Sequence, residues 1–121
     1  MLTIFLILAY GISDQDENAI FMYKQSTFIP AIFEVCKADI PDKSDVYDAD
    51  LIKWQATNKT AISRGRKMLF AQDSRASLQS ESHVKKEREQ RDSMVKELNA
   101  LPESERIKKC GFWLALVHSQ S

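Results

Sequence analysis

Residues 42–72 read DKSDVYDADLIKWQATNKTAISRGRKMLFAQ, and the reading of this stretch decides the fold. Tyr47, Leu51, Trp54, Asn58, Ala61, Gly65, Met68 and Gln72 follow one another in steps of four and three. Such steps return side chains to one face of an α-helix, whose period is 3.6 residues. Ile52, Ile62 and Leu69 widen the stripe. Acids open the stretch (Asp42, Asp45, Asp48, Asp50) and bases gather towards its end (Lys59, Arg64, Arg66, Lys67). That order complements the helix dipole. The spacing predicts one long helix, with Asp42 as its cap and Asp45 in the capping-box position. Tyr47, Leu51 and Trp54 are its expected core anchors. Asn58-Lys59-Thr60 is a formal glycosylation acceptor. Asn58 also lies on the apolar stripe, where a buried polar residue fixes helix register, and this second reading is preferred.

Upstream, Phe28, Ile29, Ile32, Phe33 and Cys36 keep helical spacing. Ser26 or Thr27 is suited to cap this helix, and Pro30 is tolerated in a first turn. A helix is expected over about Thr27 to Ala38, reaching back towards Ala19 only with a kink at Pro30. Asp14–Asn18 reads as an exposed linker. It opens like a calcium-binding loop, but Ala19 replaces the turn glycine and Gln25 the bidentate glutamate. Asp39-Ile40-Pro41-Asp42 breaks the helix. The five aspartates Asp39, Asp42, Asp45, Asp48 and Asp50 would hold a hard cation weakly, and helix capping explains them more simply.

Downstream, Ser74–Ser82 reads as a connection or a frayed helix end. A third helix is expected over 82–101. Its first half is polar on every side, and Val84, Met94, Val95, Leu98 and Leu101 supply the apolar stripe. Lys85, Arg88 and Arg91 form its candidate partner-binding face, set against the plainer reading of a solvated helix held by charge pairs. Pro102 and the acids after it restart a fourth helix. Ile107, Cys110, Trp113, Leu114 and Val117 line one of its faces, with Trp113 as a further core anchor and Gly111 as a point of close approach. The fold class is therefore all-α: an antiparallel bundle of about four helices in a single domain, residues 14–121.

The chain has 121 residues, 44% of them apolar, enough for one core without metals. Only three glycines and three prolines are present, which disfavours a turn-rich β fold. Seventeen basic side chains balance seventeen acidic ones. A nucleic-acid binder normally carries a basic excess to neutralise phosphates, so nucleic acid is not expected as a partner.

Leu2–Leu8 is a compact apolar run, with Ala9-Tyr10-Gly11 and then polar residues behind it. This resembles the apolar region and cleavage site of an export signal, incomplete at its amino end because no Lys or Arg precedes it. Residues 1–13 are read as that leader, and no stable membrane span is expected after processing, because the run is too short. In an oxidising compartment Cys36 and Cys110 are expected to pair. Closing so long a loop would stabilise the fold by roughly 4 kcal/mol in a chain-entropy account.

No catalytic, cofactor-binding or metal site is assigned. His83 and His118 do not fall into a metal-ligand spacing with the cysteines. There is no phosphate-binding glycine loop and no nucleophile elbow. The apolar leader, Cys36, Pro41, Trp54 with Asn58 four residues on, and Cys110 together resemble uncharacterised small helical proteins of the bacterial envelope. That resemblance covers about residues 28–117 and implies a periplasmic location and no activity. The leading expectation is a periplasmic or secreted, non-enzymatic protein that binds another protein, of inhibitor, immunity or envelope-accessory type. A cytosolic helical adaptor is the alternative. A small enzyme or metal protein using Cys36, Cys110, His83 or His118 is the third reading.

Overall fold

The computed structural model describes residues 14–72 and 77–121. The expected leader, residues 1–13, lies outside them, as do residues 73–76 of the expected connection. Five α-helices are present among the described residues: α1 (Asp14–Asp39), α2 (Ser44–Thr57), α3 (Lys59–Gln72), α4 (Ser77–Ala100) and α5 (Glu103–Ser119). A 3-10 turn, Pro41–Lys43, leads into α2. Among the described residues the fold is all-α as expected, with five helices in place of about four.

α1 is the axis of the bundle and packs against each of the other helices. It begins thirteen residues before the expected start, so Asp14–Asn18 is its first turn and not a linker. Acids there suit a helix amino terminus. Pro30 sits inside α1 and does not end it. The proline removes one backbone donor, at a cost of about 3 kcal/mol. Against this, Ala19, Met22, Tyr23, Ile29, Ile32, Phe33 and Cys36 are all buried, on both sides of Pro30. Burying even two or three such side chains outweighs that cost, at about 1.5–3 kcal/mol each. Ser26 and Thr27 do not cap. Their hydroxyls donate to the carbonyls of Tyr23 and Lys24, 2.5 and 2.6 Å away, inside the helix.

The long helix expected over 42–72 is two helices, parted at the single residue Asn58. Asn58 has φ −103° and ψ 11°. Its side-chain amide donates to the Trp54 carbonyl (2.9 Å), which already accepts the Asn58 backbone N–H (3.0 Å). A side chain that bonds into the helix ladder in this way bends the helix. The same amide donates to the Gln120 carbonyl (3.1 Å), and Trp54 Nε1–H donates to Gln120 Oε1 (2.9 Å). Asn58 is therefore half-buried and bonded within the fold, while ending the helix it was expected to continue. Asp42 makes no cap: it lies in the 3-10 turn, and α2 starts without a side-chain cap.

Tyr47 and Trp54 are at the centre of the core, 1% and 0% exposed. Leu51 and Trp113 are half-buried and pack against it. Cys36 and Cys110 are fully buried with sulfurs at bonding distance, 2.08 Å, joining α1 to α5. Close approach occurs at Gly65, which in sequence is only a stripe position, and not at Gly111, where it was expected. A Cβ on Gly65 of α3 would meet the Ala19 carbonyl oxygen of α1 at 1.9 Å, so α1 and α3 touch backbone to backbone. Gly111 meets nothing within 4 Å and is exposed, not a point of close approach. Ile107, expected on the inner face of α5, is exposed as well.

Polar links tie α1 to each of its neighbours. Lys37 Nζ donates to Asp48 Oδ1 of α2 (2.8 Å) and to Glu34 (2.9 Å), which raises the Lys37 pKa, Asp48 contributing most. Asp16 pairs with Arg64 of α3 at 2.6 Å. Tyr23 donates to Glu87 of α4. Arg106 of α5 donates to both Asp39 oxygens (2.7 and 3.0 Å), and to the Leu101 carbonyl (2.8 Å). Arg106 thereby holds the Asp39 carboxyl below its ordinary range. Asp50 faces His118 at 3.5 Å. Three of the five aspartates thus face bases on other helices, which explains them better than capping.

Candidate binding groove along the fourth helix

α4 starts at Ser77, and two of its side chains one turn apart, His83 and Glu87, tie it to the bundle. Tyr23 O–H donates to Glu87 Oε2 (3.0 Å), and His83 Nε2 stands 3.9 Å from Glu87 Oε1. The His83 ring meets the Phe70 ring edge-on, centroids 5.3 Å apart. Phe70 also meets Tyr23 (6.4 Å) and carries the Arg66 guanidinium over its face at 5.0 Å. Burial, then the bond to Glu87, pushes the Tyr23 phenol up to about 12, so it remains a donor over the whole neutral range. Three helices meet in this cluster. It fixes the position of α4 and with it one wall of a groove.

The groove runs between α1 and α4 and has a volume of about 590 Å³. Phe28, Leu69 and Met94 give it an apolar floor, and Lys24, Lys86, Gln90 and Glu97 rise beside it. A second hollow of about 300 Å³ shares Met94 and Glu97 with the first and continues past Ile32, Leu98 and Leu101 to Lys109 and Trp113 of α5. At that end the aromatic rings form a ladder. Phe28 meets Trp113 edge-on at 5.5 Å, and Trp113 meets Phe112 edge-on at 5.6 Å. Phe112 is 60% exposed.

Of the expected partner-binding residues, Arg91 lines the groove, beside Asp92 at 3.4 Å. Lys85 and Arg88 are exposed and are not among its lining residues. Charge alone does not locate the face. The helical phase of His83, Glu87, Gln90, Met94 and Leu98 is what locates the wall, and it selects Lys86 and Gln90. Val84, expected in the apolar stripe, is exposed.

Neither sulfur in the buried disulfide is a thiolate, and His83 and His118 lie on different helices, α4 and α5. Among the described residues no group of three His, Cys, Asp or Glu side chains is arranged to hold a metal ion. No helix among them is long and apolar enough to cross a membrane. No protein-family model matches the chain, and no curated protein and no solved structure matches it.

Proposed function

We propose that this chain is an exported helical protein that acts by binding another protein, as an inhibitor, immunity-type protein or envelope accessory factor, and not by catalysis. The observation that carries the reading is the groove along α4. It offers an apolar floor, with Trp113 at one end, between charged walls, the make-up of a protein-binding surface. The buried Cys36–Cys110 bond supports the compartment, because such bonds form and persist where the surroundings oxidise thiols.

The test is capture from the envelope fraction of the host by the purified oxidised chain, with Lys86→Glu and Gln90→Ala as groove variants. Both positions are exposed, so folding is retained. A protein captured by the wild type and lost with either variant supports the reading. Capture unaffected by both removes the groove from it. Recovery of the chain from the cytosol, uncleaved and with free thiols, would sink export and favour a cytosolic adaptor.

A further inference from the structure

We infer that the groove receives an amphipathic helix of the partner protein, with acidic residues along the edge that faces α1 and α5. The inference rests on the protein-binding reading above and names the class of partner segment.

The shape of the site selects a helix. The groove follows α4 from His83 to Leu101, about 27 Å at 1.5 Å per residue. The described residues contain no strand, so the surface has no sheet edge to which an extended peptide could add its backbone hydrogen bonds. An extended segment pressed onto Phe28, Met94 and Trp113 would leave buried N–H and C=O groups unpaired. A helix satisfies its own backbone and presents a continuous apolar stripe, at i, i+3, i+4 and i+7. Met94 at the junction of the two hollows adapts to the shape of the side chains it meets. Trp113, edge-on to Phe28, lines the second hollow and is placed to act as an anchor at one end.

Charge sets the edges. Lys24 on α1 and Lys109 on α5 stand on one side of the groove. Neither makes an ion pair among the described residues, whereas Lys37, Arg64 and Arg106 each pair with an acid on another helix. The α4 wall is of mixed sign, with Lys86 and Arg91 beside Glu89 and Glu97, and Glu97, where the hollows join, makes no ion pair among the described residues. The complementary segment carries Asp or Glu towards Lys24 and Lys109, and a basic residue towards Glu97. Interface charges of this kind govern register and choice of partner more than total affinity.

The experiment places the photo-crosslinker p-benzoylphenylalanine at position 90, an exposed wall position, and separately at position 88, outside the groove. Each oxidised protein is irradiated with the host envelope fraction, and the crosslinked segment is sequenced by mass spectrometry. The expected adduct at position 90 is a segment with apolar residues at helical spacing and acids along one flank. Lys24→Glu together with Lys109→Glu should lower its yield about tenfold, while Lys85→Glu with Arg88→Glu leaves it within about twofold. Thermal unfolding of each variant confirms that the fold is kept. A segment without that pattern, a second copy of this chain, or a yield indifferent to the Lys24 and Lys109 changes would overturn the inference. A protein adduct at position 88 with none at 90 overturns it too but leaves the protein-binding reading standing. No protein adduct at either position overturns both.

Discussion

Substituting Gly65 by alanine adds one methyl group where two helices already touch. The new Cβ would lie 1.9 Å from the Ala19 carbonyl oxygen, 2.4 Å from its carbonyl carbon and 2.9 Å from the Ile20 nitrogen. Ordinary contact begins at 3.4 Å, so the first of these is short by about 1.5 Å (3.4 minus 1.9). All three atoms are backbone, and none can rotate aside. α1 and α3 must therefore part, loosening Ala19 and Leu69, both buried, and the Tyr23–Phe70 ring contact. Forcing a methylene into a packed core typically costs about 1–3 kcal/mol, and an immovable backbone puts this case at the upper end. Alanine recovers about 1 kcal/mol through helix propensity. A net loss of about 2 kcal/mol is expected, or a melting temperature lower by about 6–12 °C for a chain of this length. Gly111→Ala is the matched control: it is also a helical glycine, but its Cβ meets nothing. There the propensity term acts alone, and stability should rise by about 0.5–1 kcal/mol. Urea unfolding of the oxidised proteins, followed by circular dichroism, measures both. If Gly65→Ala proves as stable as Gly111→Ala, the backbone contact between α1 and α3 is not there and the reasoning fails.

Cys36→Ala with Cys110→Ala should destabilise the fold by up to about 4.5 kcal/mol, the loop-closure entropy for a bond spanning 74 residues, read from the urea midpoint at an unchanged pH. Gln120→Ala removes the acceptor of the buried Trp54 N–H and should cost about 1–2 kcal/mol; in a double-mutant cycle with Trp54→Phe the two losses should be less than additive, and full additivity would refute the bond. Stability should also fall in acid. The Asp39 carboxyl is held below its ordinary value of 3.8 by Arg106, so its contribution is complete above that pH and is lost as the pH drops through the lowered value. Arg106→Met should abolish that part of the acid dependence, as urea midpoints between about pH 5 and pH 2 will show.

The helices themselves were legible because burial repeats at helical spacing. Tyr47, Trp54, Cys36, Cys110 and Val117 are all in the core where that spacing put them. The errors share a cause. Each came from giving a residue its local role when a distant partner had set another. Pro30 and the first acids of α1 look like a helix boundary, yet the apolar face on both sides of Pro30 is buried against other helices. Asn58 continues a stripe in sequence, but Gln120, 62 residues away, draws its side chain into a bond that ends the helix. Asp39 looks like a cap until Arg106, 67 residues away, is placed beside it.

The same logic governs the groove. Lys85, Arg88 and Arg91 attract notice as a basic run on a polar helix, but charge does not say which way a helix faces. His83 and Glu87 orient this half of α4, through Phe70 and Tyr23 on two other helices, as Leu98 in the core does further along. Once those contacts fix the rotation, helical phase brings Gln90 and Met94 to the groove and leaves Lys85 and Arg88 outside it. A polar helix half can therefore be read for function only after the few side chains that anchor it are known. In this chain those anchors were an isolated histidine and one glutamate among many, and neither carried a signal until the three helices were brought together.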